Sequence, residues 1–281
     1  MSRFAYGFWR YGAGDEARAR AMVVAAREAG ITHLDTADVY GGGDGMNTAE
    51  RLLGTLYRDS PSLFDGMEIA TKAGVEFGSP YNSSPGYLTE AVDASLIALG
   101  TERIDLFYIH RPDVLAHPAE VAGVLDGLVG AGKIAKVGVS NHTTAQVAAL
   151  TKHLKAPIVA HQVEISALHV TSILDGTLDQ AMGDGMDVYA WSPLGGGALI
   201  EGGGERGERV RATLRPIAEA HGLSLPGAAL AFLLGHPAGI RPIIGTGRPD
   251  RLSELVRAEQ AQMSRAEWYN VLAASLGHDL P

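Results

Sequence analysis

Residues 31–43 read ITHLDTADVYGGG and change character within a few positions. An apolar, β-prone run ends on Asp35, Tyr40 follows five residues later, and three glycines come directly after it. This order places a carboxylate and a phenol just beyond the carboxyl end of a predicted strand. In barrels of parallel strands, catalytic groups sit at that end. The stretch therefore predicts both a strand and a candidate active site.

The alternation of a short apolar run with a longer amphipathic stretch recurs along the whole chain. Eight runs are strand-like, namely RFAYGFW (3–9), ITHLD (31–35), MEIATK (67–72), IDLFYIH (104–110), IAKVGVS (134–140), IVAHQVE (158–164), MDVYAWS (186–192) and IRPIIG (240–245). Eight strands separated by helices within 281 residues predict one α/β domain over residues 1–281, a (β/α)₈ barrel. An open doubly wound sheet is the alternative, and the missing GxGxxG after the first strand disfavours it.

Two segments extend the barrel pattern. Residues 195–224 are rich in glycine and charge, which predicts a mobile loop leading into an extra helix after the seventh strand. Residues 264–276 begin with Ser264 and carry Glu267 three positions later, which is the pattern of a capped helix start. We therefore expect a further helix at the carboxyl end, outside the barrel repeat.

Composition excludes several classes of function. The formal charge of −9 disfavours nucleic acid or an anionic membrane as the partner, because both need a basic face. The absence of cysteine excludes disulfides, thiolate metal sites and a thiol nucleophile. No histidines and carboxylates follow metal-site spacing, so we predict no metal. No stretch approaches the ~20 apolar residues of a membrane span, and the chain start has no signal-peptide pattern, which predicts a cytoplasmic protein.

Polar residues stand at the ends of nearly all the strand-like runs. They are Asp35, Lys72, His110, Ser140 with Asn141, Gln162, and Trp191 with Ser192. At any single position, a helix-capping or solvent-facing role is an equally good explanation. The set as a whole carries the functional prediction, because these ends converge on one mouth of the barrel.

Four of these groups have coherent chemistry. Tyr40 has an ordinary pKa near ~10, which is poor for proton transfer at neutral pH. A nearby Lys72 ammonium would lower that pKa, and Asp35 would hold the ammonium by an ion pair. His110 would hydrogen-bond a substrate oxygen. Together they predict proton donation to a carbonyl oxygen while a hydride reaches its carbon.

The motifs LDTADVYG, IATKAG, LFYIHRP, KVGVSN, HQVE, YAWSPLGGG and PIIGTGRPDRLSE resemble, in order, those of the aldo-keto reductases. The motifs HRPD, VEIS and DGTLDQ resemble a bacterial branch of predicted oxidoreductases. The resemblance implies reduction of an aldehyde or ketone to an alcohol with NADPH, with NADH as a possible cofactor. It implies Asp35, Tyr40, Lys72 and His110 as the catalytic residues.

The resemblance also implies a cofactor site. Ser140, Asn141 and Gln162 would surround the nicotinamide carboxamide, and Trp191 would stack on the ring. Ser192, Leu194 and Gly195 would contact the pyrophosphate. The adenosine end with its 2′-phosphate would be held by Gly245, Thr246, Gly247, Arg248, Arg251 and Glu254.

Departures from the family pattern concern the chain start and the substrate pocket. The amino-terminal hairpin that usually closes the barrel floor is expected to be absent. Arg111 stands where many members have tryptophan, and we hypothesise a more polar pocket that favours carbonyl substrates bearing a carboxylate or other acceptor. The alternative is that Arg111 pairs with Asp113 and faces away. Trp9 and Phe77 are candidate pocket walls, although aromatic residues in such places are equally often plain core.

Two other functions stay open at this point. Lys72 is the candidate nucleophile of a Schiff-base lyase, against which stands its predicted ion pair with Asp35. The second alternative is an NADPH-binding redox sensor with little turnover, and the intact set of four catalytic residues argues against it. The expected partner is a small-molecule carbonyl compound, with no nucleic acid or membrane, and the expected state is a monomer or weak homo-oligomer.

Overall fold

The computed structural model describes residues 2–41 and 43–280, so Met1, Gly42 and Pro281 lie outside the described residues. Eight strands form a closed barrel in chain order, and helices alternate with them. The described strand pairs are parallel. The predicted (β/α)₈ barrel is therefore confirmed.

Every strand overlaps one of the predicted runs, although most are shorter than the run. The strands are β1 (Ala5–Gly7), β2 (His33–Asp35), β3 (Glu68–Ala73), β4 (Leu106–Ile109), β5 (Val137–Ser140), β6 (Ile158–Glu164), β7 (Asp187–Trp191) and β8 (Arg241–Ile244). The first strand of the described residues is β1, and no hairpin precedes it within residues 2–4.

The helices include both predicted additions to the barrel repeat. They are α1 (Glu16–Glu28), α2 (Thr48–Asp59), α3 (Pro85–Leu99), α4 (Pro118–Gly130), α5 (Thr144–Thr151), α6 (Thr171–Leu174), α7 (Thr177–Asp184), α8 (Gly204–Ala220), α9 (Leu225–Leu234), α10 (Pro249–Leu255) and α11 (Arg265–Leu276). The extra helix after the seventh strand is α8. The carboxyl-terminal helix is α11, where Ser264 and Glu267 form the predicted capping box.

The chain forms two compact units. One comprises residues 6–162 and the other comprises residues 163–280 with residues 2–5. The single domain over residues 1–281 stays a prediction. Within the described residues, only the pair α8 and α9, bent by 91°, reaches the length and apolar composition of a membrane span, and no single helix does.

Strand register in the unit of residues 6–162 sets up the candidate site. Asp35 at the end of β2 lies opposite Ala70 of β3. Lys72 follows Ala70 by two residues on β3 and lies opposite Tyr108 of β4. Because the strands are parallel, their carboxyl ends meet at one edge, and the side chains that follow them are brought together.

Candidate active site

A buried ion pair joins the ends of β2 and β3. Lys72 Nζ donates to Asp35 Oδ1 at 2.7 Å and to the Thr36 backbone oxygen at 2.7 Å. Gln162 Nε2 donates to the same Asp35 oxygen at 2.7 Å. The Lys72 and Asp35 side chains are 0% and 4% exposed. Water therefore screens this pair weakly, and Asp35 fixes the position of the ammonium as expected.

Tyr40 and His110 complete the predicted set of four. The Lys72 ammonium lies 4.9 Å from the centre of the Tyr40 ring. The rings of Tyr40 and His110 meet edge to face, with centroids 5.7 Å apart and planes at 78°. All four predicted catalytic residues thus lie together in the unit of residues 6–162, and their roles stay a prediction.

The pKa of Tyr40 differs from the sequence expectation. Burial raises the pKa of Tyr40 well above its ordinary value, and the Asp35 carboxylate adds to this rise. Arg111 lowers the pKa of Tyr40. The prediction of a lowered Tyr40 pKa is therefore wrong for this structure, because burial and the Asp35 carboxylate outweigh the neighbouring positive charge. The phenol therefore holds its proton at neutral pH.

His110 is a neutral imidazole at neutral pH. Burial lowers the pKa of His110 well below its ordinary value, and the positive charges of Lys72 and Arg111 add to the effect. Its Nδ1 is buried and has no hydrogen-bond partner among residues 2–41 and 43–280. A buried polar atom without a partner is unusual and fits a group that meets a ligand.

Two buried acids beside the ion pair were not predicted from the sequence. Asp38 is 1% exposed and Glu50 is 0% exposed. Burial raises the pKa of Asp38 to about 8, Glu50 adds to this rise, and Lys72 opposes it. From the sequence alone, acidic residues at these positions are expected to be exposed to solvent. The one available signal was that Asp38 lies within the motif LDTADVYG, between Asp35 and Tyr40.

Asp38→Asn is expected to flatten the pH dependence of stability between about pH 4 and pH 8. The pKa of Asp38 is raised from 3.8 to about 8, so within this window the folded chain keeps a proton that the unfolded chain has released. Stability contributed by that proton is lost as pH rises. The melting temperature of the variant minus that of wild type should be roughly 5 °C larger at pH 8 than at pH 5. The exposed control Asp65→Asn should differ from wild type in melting temperature by the same amount at both pH values. The same result for Asp38→Asn would contradict the prediction.

The residues predicted around the carboxamide meet at the ends of β5 and β6. Ser140 lies opposite Gln162, and the Asn141 backbone N–H donates to the Gln162 backbone oxygen at 2.9 Å. Asn141 Nδ2 donates to Ser140 Oγ at 2.7 Å and to the His110 backbone oxygen at 3.3 Å. Asn141 adopts a left-handed conformation with φ 58°, a strain that clusters at ligand-binding positions. These three residues therefore form one polar group beside His110.

The segment after β7 belongs to the unit that contains residues 163–280. Trp191 and Ser192 are partly buried, and Ser192 is left-handed with φ 48°. Leu194 precedes a short 3₁₀ turn over Gly195–Gly197. At Gly195, with φ +60°, an added Cβ would lie 3.0 Å from Leu168 Cδ1, so both the backbone conformation and the space favour glycine. Such a tight turn of left-handed residues fits close approach of a phosphate to the backbone.

The residues predicted at the adenosine end follow β8, the parallel neighbour of β7. Thr246 Oγ1 accepts from the Arg248 backbone N–H at 3.3 Å. Arg248 forms an ion pair with Asp250, and both side chains are mostly exposed. Gly245, Gly247, Arg251 and Glu254 are exposed as well. Arg248 is thus partly neutralised, which leaves Arg251 as the stronger candidate for a phosphate contact.

The three candidate pocket residues have different surroundings. Trp9 is 63% exposed and Phe77 is 66% exposed, so neither is plain core. The charge of Arg111 acts on both Tyr40 and His110. The Asp113 carboxylate accepts from the backbone N–H groups of Ser83 and Leu115. These surroundings favour Arg111 as a group of the site.

Comparison with known proteins identifies the family of this chain. A model of the Aldo/keto reductase family matches residues 3–275. A 6-dehydroglucose reductase of Novosphingobium aromaticivorans is 45% identical over 285 residues, covering 100% of this chain and 94% of that protein. Oxidoreductase YdhF of Escherichia coli is 35% identical over 292 residues, covering 100% of this chain and 96% of that protein.

A solved structure gives the same result for the fold. The thermostable aldo-keto reductase Tm1743, crystallised with the inhibitor epalrestat, superposes with a TM-score of 0.83 at 25% identity, covering 98% of this chain and 95% of that one. The family match over nearly the whole chain, the named reductases among its relatives and the closed barrel agree. This chain, an NAD(P)H-dependent enzyme that reduces carbonyl groups, belongs to the aldo/keto reductase family.

Proposed function

We propose that the chain reduces an aldehyde or ketone to an alcohol with NADPH, and that Tyr40 supplies the proton. The observation that supports this most directly is the cluster of Tyr40, His110 and the buried pair of Lys72 with Asp35. When bound, reduced nicotinamide supplies a hydride to the carbonyl carbon. The residues of the chain are then needed to orient the carbonyl and to protonate its oxygen.

Tyr40 and His110 are proposed to bind the carbonyl oxygen together. Neutral His110 donates a hydrogen bond that polarises the carbonyl, which is possible because its pKa is lowered by burial. Tyr40 starts protonated, because burial raises its pKa, and gives its proton to the oxygen as negative charge develops there. The ammonium of Lys72, held by Asp35, stabilises the phenolate that remains.

The preference for NADPH rests on residues after β8. Arg251 is exposed, and a guanidinium can bind a 2′-phosphate with two parallel hydrogen bonds. Thr246 would add a hydroxyl. Ser140, Asn141 and Gln162 would hold the carboxamide, and Trp191 would stack on the ring. Cytoplasmic location and a monomeric or weakly associated state stay predictions.

Sugar-derived aldehydes are the substrate class that we propose. Relatives at 45% and 34% identity are both named 6-dehydroglucose reductase. Arg111 and His110 offer hydrogen-bond donors to hydroxyl groups, and exposed Trp9 and Phe77 offer flat apolar faces. A pocket with both kinds of surface suits a polyhydroxylated aldehyde.

The test is a panel of aldehydes and ketones, including 6-dehydroglucose, assayed by loss of NADPH absorbance with NADH in parallel. Turnover of sugar-derived aldehydes with NADPH, at a kcat/KM about tenfold or more above that with NADH, would support the proposal. The Schiff-base alternative predicts a borohydride-trapped adduct on Lys72. NADPH binding without turnover of any carbonyl would support the redox-sensor alternative.

Arg111→Ala is expected to reduce kcat/KM for carbonyl substrates that bear a carboxylate by about tenfold more than for matched neutral substrates. The reason is loss of a charge-assisted hydrogen bond, worth about 1.5–3 kcal/mol. The measurement is kcat/KM for paired charged and neutral aldehydes in wild type and variant. The control Arg103→Ala changes an exposed arginine in the turn before β4 and should leave both values unchanged. Identical ratios in wild type and Arg111→Ala would remove Arg111 from the pocket.

A further inference from the structure

One arginine of α8 is buried although its neighbours on the helix are exposed. Arg211 is 9% exposed, whereas Arg209 and Arg215 are exposed. Its Nη1 donates to two backbone oxygens, those of Ala198 and Gly202, each at 2.6 Å. Both oxygens belong to the loop between β7 and α8. A buried guanidinium is stable only when its donors are satisfied, so these contacts account for its position.

Glu208 orients the same guanidinium from the other side. Arg211 Nη2 and Nε donate to Glu208 Oε2 at 2.8 and 3.3 Å. The planar fork of arginine suits this arrangement, because one edge pairs with a carboxylate while another atom reaches the backbone. Arg211 therefore clamps two points of the loop, four residues apart, to the first turns of α8.

A second observation shows how closely the loop lies on α8. An added Cβ at Gly207 would be 2.6 Å from the Gly202 backbone oxygen and 3.2 Å from Arg211 Nη1. Any side chain at this position must displace the loop. Gly207 is buried, and its backbone N–H donates to the Gly203 oxygen at 2.9 Å. The loop end is therefore held by arginine and by a close backbone contact at the same place.

The clamp is continuous with the turn that follows β7. The Ala198 backbone N–H donates to the Gly195 oxygen at 3.1 Å, and the Leu199 N–H donates to the Leu194 oxygen at 3.2 Å. Leu199 is 0% exposed and anchors the middle of the segment. A shift of the Ala198 carbonyl would thus be passed to Leu194 and Gly195, which are proposed to contact the pyrophosphate.

We propose that Arg211 is a positioning residue for dinucleotide binding, holding residues 198–202 so that the turn at residues 194–197 is preformed before the cofactor arrives. The inference rests on the proposed use of NADPH. Arg211 touches neither cofactor nor substrate in this proposal. Its effect is to remove the entropy that a free glycine-rich loop would lose on binding.

The test compares Arg211→Met with the matched control Arg215→Met. Met keeps the length of the side chain and removes the donors, and Arg215 is an exposed arginine of the same helix that also pairs with Glu208. NADPH affinity is measured by fluorescence titration. Without NADPH, cleavage by a Glu-specific protease after exposed Glu201 is followed by mass spectrometry. Arg211→Met is expected to weaken NADPH binding about tenfold and to speed cleavage, while the control matches wild type.

Gly207→Ala supplies a second variant that keeps the guanidinium. It should move the Gly202 carbonyl, weaken NADPH binding and speed cleavage after Glu201, as expected for Arg211→Met. If Arg211→Met does not fold, Gly207→Ala alone tests the inference. Unchanged NADPH affinity in the folded variants, with wild type binding NADPH, overturns the inference and leaves the proposed function standing. A wild-type chain that does not bind NADPH overturns both.

Discussion

Tyr40→Phe should lose carbonyl reduction by about 10²–10⁴-fold while it still binds NADPH. The substitution removes the hydroxyl and leaves the ring. The edge-to-face contact with His110 and the contact with the Lys72 ammonium can therefore be retained. The hydroxyl, together with the proton that burial holds on it, is the only chemical group lost.

The measurement separates chemistry from binding. Steady-state kcat/KM is determined with an aldehyde that wild type reduces, and NADPH affinity is determined by fluorescence titration of the same samples. Tyr57→Phe is a matched control, because Tyr57 is 38% exposed on α2 and packs against Phe64. Activity of Tyr40→Phe within threefold of wild type would remove Tyr40 from the role of proton donor.

The sequence was sufficient for the barrel and for the meeting of several polar strand ends, whose roles in catalysis and cofactor binding stay predictions. Strand runs such as MEIATK combine β-prone residues with a polar end, and parallel topology then brings those ends together without further information. Asp35 and Lys72 met as expected for this reason, whereas the hydrogen bond from Gln162 to Asp35 was not predicted. The capping box at Ser264 was equally local, because its two partners are three residues apart.

Features that depend on burial in three dimensions were not accessible in the same way. Asp38 and Glu50 are polar residues that are nevertheless buried, and Glu50 on α2 accepts a hydrogen bond from Thr71 Oγ1 of β3 at 2.5 Å. The predicted direction of the Tyr40 pKa shift was wrong for a related reason. Proximity to an ammonium favours phenolate, but desolvation disfavours it, and only the structure shows that desolvation is larger.

The contact of Arg211 with its loop illustrates a second limit. A charge run such as GERGERVRATLR predicts a solvated helix face, and three of its arginines, Arg206, Arg209 and Arg215, are indeed exposed. Arg211 differs because the loop at residues 198–202 folds back onto it. Nothing in helical periodicity identifies which of several arginines will meet a backbone carbonyl.

Lys72→Met is expected to give the largest loss of stability among the single substitutions considered for this site. It removes the cation and leaves Asp35 buried, with Gln162 as its one remaining side-chain donor among residues 2–41 and 43–280. Breaking one partner of a buried ion pair costs about 3–5 kcal/mol, because the remaining charge is uncompensated. For a chain of this size the loss corresponds to a melting temperature lower by on the order of 10 °C.

The double variant Lys72→Met with Asp35→Asn distinguishes a buried charge from a packing defect. Removing both charges leaves no uncompensated ion, so the double variant should recover most of the stability lost by Lys72→Met. Its reductase activity should stay low, because no ammonium is left to stabilise the Tyr40 phenolate.

Thermal unfolding and kcat/KM of the two single variants and the double variant form a complete cycle. Lys133→Met is the surface control, since its pair with Asp93 is partly exposed and is worth about 0–1 kcal/mol. If the double variant were no more stable than Lys72→Met, the loss would arise from packing around the side chain. If the double variant were fully active, the pair would not serve Tyr40, and the proposed proton transfer would need another source of stabilisation.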